Sequence, residues 1–252
     1  MPELLGLTFS PWTEKARWAL DARGVAYAYR QYQPLIGEPA LRVKLRRWNG
    51  IVSVPVMTLD DGRVLTDSAD IARWADGHGR GPTMFPPGDD AAIAGFIDLS
   101  DRGLAAGRAR SLIELREDLD GVMEMVPRNL RWLPGARQIA RAGLGRTLRK
   151  YRGVRDVGEA RAALAGVLDE LRAALARAPA GEGAKTLLGR FTFADVAVAQ
   201  VLAYVEPPAF GLRLGASTRR SFVDEVLRER YADLVAWRDA LYEAYRPKPT
   251  PA

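Results

Sequence analysis

Between Gly77 and Gly88 the chain places four glycines and three prolines in twelve residues, a composition that suits neither a helix interior nor a strand. The hydrophobic pattern changes across this run. Before it, short β-branched and aromatic runs alternate with short amphipathic stretches. After it, the period-two signals stop and apolar residues recur at helical spacing. An α/β domain is therefore expected over 1–78, a linker over 79–88, an all-helical domain over 89–246 and a flexible tail over 247–252. The 252 residues, 48% hydrophobic and 27% charged, are those of an ordinary globular chain with enough length to bury a core.

In the first domain, strands are expected over 4–9, 25–32, 54–59 and 63–66, and helices over 13–23, 38–48 and 67–76. Asp60-Asp61-Gly62 is the turn between the last two strands. In the second domain, helices are expected over 91–125, 136–152, 157–177, 192–205, 221–230 and 231–245, with a bend before Pro127. Trp132, Tyr204, Tyr231, Trp237, Tyr242 and Tyr245 are expected chiefly in the core, with one or two lining a cleft.

Composition narrows the chemistry. There is no cysteine, hence no disulfide, thiolate nucleophile or iron–sulfur cluster. The one histidine, His78, lies in the Gly-rich run and reads as a surface residue, so multi-histidine metal sites are excluded and no metal is expected. The N-terminus has no signal-peptide pattern and no run of 18 apolar residues occurs, so a cytoplasmic location is the default expectation.

Three short constellations carry functional meaning. Ser10-Pro11-Trp12-Thr13 lies at a strand-to-helix junction, with Ser10 as N-cap and Pro11 in the first helical position. Ser10 either only satisfies its own helix or presents a hydroxyl to an anion at the positive helix end. In Ser53-Val54-Pro55-Val56 the proline sits on an edge strand or in a cis turn. A cis turn would leave the backbone groups of Val54 open to a peptide ligand. Asp67-Ser68-Ala69-Asp70 caps a helix, and a Ser hydroxyl there beside an acid also suits the carboxylate and ammonium of an α-amino acid.

The run Ser10-Pro11-Trp12-Thr13-Glu14-Lys15-Ala16-Arg17, with Val54-Pro55-Val56 and Asp67-Ser68-Ala69-Asp70-Ile71, resembles the glutathione transferase superfamily. Phe191-Thr192-Phe193-Ala194-Asp195 adds a capping box like that of the family's buried central helix. The resemblance implies a thioredoxin-like N-terminal domain followed by an all-helical C-terminal domain, the glutathione-transferase fold, as a homodimer. It implies glutathione as substrate or cofactor, with Ser10 contacting the sulfur, Val54 before a cis Pro55, Asp67 and Ser68 on the γ-glutamyl group, and Thr13 in the second position of a C-x-x-C-type motif. The implied reaction is attack of the glutathione thiol on an electrophilic, mainly apolar, small molecule; an isomerase or lyase use of glutathione stays open. Two positions depart from the family pattern. Ser53 stands where Lys or Gln is common, and Val52 where Gly is. The glycyl carboxylate is thereby left without an assigned partner, with Lys44, Arg46, Arg47 and Trp48 nearby.

The net charge of +6 is unevenly spread. Residues 128–155 hold eight Arg and one Lys with no acid, so this segment carries +9 and the remainder about −3. Ala140, Leu144, Leu148 and Tyr151 form one apolar helical face within it. The segment is either a core-packed helix with a solvated basic face or a site for an anionic partner such as a membrane surface. The second option gives the alternative function, a non-catalytic binding module. No nucleic-acid motif accompanies the segment, and no nucleic acid is expected among its partners.

Overall fold

The computed structural model describes residues 1–34, 37–124, 126, 131–150 and 156–248. The N-terminal part is a four-stranded sheet of order β2-β1-β3-β4, built from β1 (Glu3–Gly6), β2 (Ala28–Gln31), β3 (Val56–Thr58) and β4 (Val64–Leu65). β1 and β2 run parallel through the crossover helix α1 (Pro11–Ala22), and β1–β3 and β3–β4 are antiparallel.

Strand alternation decides which helix covers which face. Leu4 pairs with Met57, and both bury with Ala16 and Leu20 of α1 and Ile71 and Ala75 of α3 (Ser68–His78). Leu5 pairs with Val56 on the opposite face, beneath Leu41 of α2 (Glu38–Leu45). Gly6 permits the close approach of α1 to β1: a Cβ there would lie 2.4 Å from Thr13 Cγ2. Pro55 falls just outside β3, after a cis Val54–Pro55 peptide, so the proline that does not fit a strand interior costs the ladder no hydrogen bond.

The remainder is helical: α4 (Asp90–Glu117), α5 (Leu119–Glu124), α6 (Ala136–Lys150), α7 (Val157–Arg177), α8 (Phe193–Ala199), a 3-10 helix (Gln200–Tyr204), α9 (Ala216–Phe222), α10 (Glu225–Arg230) and α11 (Ala232–Tyr245). Every residue from Phe193 to Val205 is buried, and α4, α7 and α11 wrap that central segment. The Asp195 carboxylate starts α8 by accepting from the Thr192 and Leu187 N–H groups at 2.9 and 2.8 Å. Phe191 stacks on Tyr245, with ring centroids 4.3 Å apart.

Two helices expected to be continuous are each divided by an aspartate. Asp118 ends α4 and accepts from the Asp120 and Gly121 N–H groups, so 91–125 is not one helix. Asp224 caps α10 by accepting from Leu227 N–H, which divides the helix expected over 221–230. The expected helix end at Met125, the bend at Pro127 and Tyr151 lie outside the described residues. Trp132, expected in the core, is 77% exposed. No helix among the described residues is long and apolar enough to cross a membrane.

Candidate functional site

Helix α1 is held rigidly at the boundary between sheet and helices. The Lys15 ammonium, only 1% exposed, donates to Asp101 Oδ1 of α4 at 2.9 Å. The fully buried Glu14 carboxylate accepts from Arg246 Nε at 2.7 Å, and Trp18 Nε1 donates to the Tyr245 carbonyl at 3.1 Å. These three contacts, all from the helical part, fix the direction in which the N-terminus of α1 points.

Ser10 is the N-cap of that helix, with Pro11 following. Its hydroxyl oxygen accepts from Thr13 N–H at 3.5 Å, the outer limit of a hydrogen bond, and its proton is not consumed by any partner among the described residues. Ser10 thus faces a cavity of ≈ 830 Å³ with its donor available. Thr13 does not join it. It is fully buried, and its Oγ1 accepts from Leu7 N–H at 3.2 Å, tying the start of the strand-to-helix turn.

Val54 lines the same cavity, next to Val52 and Ser53. Among the described residues its N–H donates to no acceptor and its C=O accepts from no donor. Pro55 is buried behind it and sets the cis turn that presents those groups. Asp67 and Ser68 stand apart from the cavity at the start of α3. The exposed Asp67 carboxylate accepts from Ala69 N–H at 2.7 Å, which is capping, and Ser68 is buried. Of the six sequence candidates, Ser10 and Val54 therefore meet at the cavity, Thr13 and Pro55 support it from behind, and Asp67 and Ser68 lie beyond its edge.

The helical part supplies the opposite wall. Asp101, Ala105, Arg108, Leu112 and Leu115 repeat at three- and four-residue steps on α4, one helical face turned to the cavity. The Arg108 guanidinium lies over the Trp12 ring at 4.5 Å. Tyr204 and Phe222 add an apolar side; Tyr204, one of six aromatic residues expected chiefly in the core, is buried and also borders the cavity.

The basic segment contributes more to this wall than its sequence indicated. Ala140, Leu144 and Leu148 pack on Val122 and Val126, the apolar face anticipated, and Arg137, Arg141 and Arg149 are exposed. Its other side reaches the sheet domain. Lys150 Nζ donates to the Val52 carbonyl and lies 3.6 Å from Glu38 Oε2. Burial pushes the Lys150 ammonium below its usual pKa, partly offset by Glu38. Burial pushes Glu38 up, but the hydrogen bond from Arg42 and the charge of Lys150 outweigh it and hold the carboxyl below its usual range. Lys150 thus anchors the residue two before Val54. Sequence reasoning missed it because 98 residues separate the partners.

Residues 9–78 match the family model described as the glutathione S-transferase N-terminal domain. A probable glutathione S-transferase of Zea mays is 37% identical over 91 residues; the alignment takes in 33% of this chain and 37% of the maize protein. Over nearly the full length the fold is similar to a glutathione S-transferase of Methylobacillus flagellatus solved with glutathione bound. That likeness has a TM-score of 0.63 and 17% identity, covering 97% of this chain and 95% of that one. A glutathione transferase of Phanerochaete chrysosporium gives a TM-score of 0.62 at 20% identity, with 98% and 99% covered. Residues 9–78 thus match the glutathione S-transferase N-terminal domain, and the whole chain shares the fold of these solved transferases.

Proposed function

We propose that the protein binds glutathione in the cavity between sheet and helices and activates its thiol for attack on an electrophilic small molecule. The observation that carries this reading is the pairing of Ser10, whose hydroxyl proton is available at the positive end of α1, with the uncommitted backbone groups of Val54. A hydroxyl donor plus the helix dipole stabilises a thiolate by roughly 1.5–3 kcal/mol. That lowers a thiol pKa of about 8.5 to roughly 6.5–7.5 and makes a substantial share of the bound thiol ionised at neutral pH. The thiolate then forms a C–S bond as the leaving group departs with its electron pair. Ser10 holds the negative sulfur and forms no covalent intermediate.

In this reading the N–H and C=O of Val54 pair with the cysteinyl backbone of glutathione. The start of α3, through the exposed Asp67 carboxylate with Ser68 beside it, holds the γ-glutamyl end beyond the cavity rim. Trp12, Leu112, Leu115 and Phe222 receive the apolar body of the second substrate. The chain is proposed to work as a homodimer, which light scattering checks.

Calorimetric titration of reduced glutathione into the wild type and Asp67→Asn tests the reading. Asn keeps the helix cap and removes the charge. Micromolar-to-millimolar binding, weakened by the substitution, is expected; no binding at about 10 mM ligand would overturn it. The alternative, a non-catalytic module, has the exposed Arg137, Arg141 and Arg149 in its favour. Salt-sensitive sedimentation with acidic vesicles, in the absence of glutathione binding, would be its signature.

A further inference from the structure

The cavity that Ser10 faces is more basic than thiol activation requires. Arg108, Arg131, Arg146, Lys150 and Arg213 line it against three acids, Glu38, Asp101 and Glu124. All three acids are committed. Glu38 is held by Arg42 and Lys150, and Asp101 by Lys15 and Trp12 Nε1. Glu124 accepts from the Ser217 and Thr218 N–H groups at 2.9 Å each and from the Thr218 hydroxyl at 2.8 Å. Two of the cations are committed as well. Arg131 donates to the Val126 and Glu124 carbonyls, and Lys150 to Val52.

The other three arginines each come from a different element. Arg108 comes from α4 and stacks on Trp12, two residues after Ser10. Arg146 comes from α6. Arg213 lies in the loop before α9, and its own N–H donates to the Thr8 carbonyl at 2.9 Å, which fixes that loop against the turn leading into Ser10. Arg146 and Arg213 are exposed at the cavity and form no ion pair among the described residues. Two such guanidinium groups from separate elements, lining one concave and partly apolar cavity, match a planar carboxylate better than they match a neutral ring. The neighbouring Trp12, Leu112, Leu115 and Phe222 supply the apolar contact for the rest of such a molecule.

We infer that the electrophile carries a carboxylate at the end remote from its reacting carbon, and that Arg146 and Arg213 bind that carboxylate. The inference rests on the thiol-transfer reading above and names its second substrate class. The carboxylate is a handle: it orients the electrophile and is unchanged when the C–S bond forms and the leaving group departs with its electron pair.

Two conjugates separate this anion from the carboxylates of glutathione itself: S-(4-carboxybenzyl)glutathione and S-(4-carbamoylbenzyl)glutathione. They share every glutathione contact and differ only in the charge of the distal group. Calorimetry with the wild type, with glutathione as a third ligand, is expected to show the carboxyl conjugate bound about ten-fold or more tighter than the carbamoyl one. In Arg146→Gln/Arg213→Gln the ratio is expected to fall to within about three-fold. Both positions are exposed, and circular dichroism and thermal melting check that the variant is folded. Equal affinities in the wild type would overturn the inference while leaving the thiol reading standing. A preference that survives in the double variant would overturn the assignment to these arginines. Binding of neither conjugate nor glutathione would overturn the thiol reading, and the inference with it.

Discussion

Lys15 Nζ on α1 donates to Asp101 Oδ1 on α4 at 2.9 Å, and the same carboxylate oxygen accepts from Trp12 Nε1 at 3.2 Å. One aspartate of the helical part therefore holds two residues of the helix that Ser10 caps. The lysine is 1% exposed and the aspartate 45%, so the acid side is screened by solvent and the amine side is not. Asp101→Ala leaves a buried ammonium and an indole N–H without their acceptor. It is expected to destabilise the protein by about 1–3 kcal/mol in urea unfolding, with Lys15→Met/Asp101→Leu recovering part of that loss.

Gly6 and Thr13 form a second pair that is open to a cycle. A Cβ on residue 6 would lie 2.4 Å from Thr13 Cγ2 and 3.0 Å from Oγ1. Gly6→Ala is expected to cost about 1–3 kcal/mol by pushing α1 off β1. Thr13→Ser removes the methyl and keeps the acceptor for Leu7 N–H, so the Gly6→Ala/Thr13→Ser double variant is expected to be more stable than Gly6→Ala alone.

Glu124 ties α5 to the start of α9. Burial pushes its pKa up, but the Ser217 and Thr218 N–H groups and the Thr218 hydroxyl outweigh burial and hold it below its usual value. A folded pKa below the unfolded one means that the unfolded chain binds the proton more readily as pH falls. The contribution is then complete above the unfolded pKa and is lost as pH drops through the folded one. Glu124→Gln is expected to cost about 1–3 kcal/mol at pH 7, and the gap to the wild type is expected to narrow as pH falls below 4.5. A gap that stays constant over that range would contradict the assignment.

Lys150 holds the Val52 carbonyl and faces Glu38, so it braces the segment that presents Val54. Lys150→Met is expected to weaken glutathione binding by about three- to ten-fold, measured by calorimetry, because the backbone of residues 52–54 loses its anchor.

Local chemistry made part of this architecture readable from the sequence. Ser10 before Pro11, the Thr192–Asp195 capping box and the Ala140–Leu144–Leu148 face are set by residues within a few positions of one another, and each forms as the local pattern requires. Asp118 and Asp224 were legible only as helix residues. Both instead cap a following helix, a choice that burial of Val122 on one side and of Phe222 and Leu227 on the other decides. The cavity wall was the least legible part. The Asp101–Arg108–Leu115 stripe has a clear helical period, but period alone does not say which helix faces the sheet domain. Arg146, Lys150 and Arg213 reach the cavity only through tertiary approach, across about 90 to 200 residues from the turns at Ser10 and Val54. The charge excess of the 128–155 segment was plain in the sequence; that part of it turns inward was not.

In the proposed reaction Ser10 lowers the pKa of a bound glutathione thiol. Thiolate absorbance of the binary complex, titrated against pH in the wild type and in Ser10→Ala, measures it most directly. The wild-type complex is expected to ionise near pH 6.5–7.5, about one to two pH units below free thiol, and the variant to return towards about 8.5 with turnover at pH 7 reduced by roughly ten-fold or more. Superimposable titration curves for the two proteins would mean that Ser10 does not hold the thiolate.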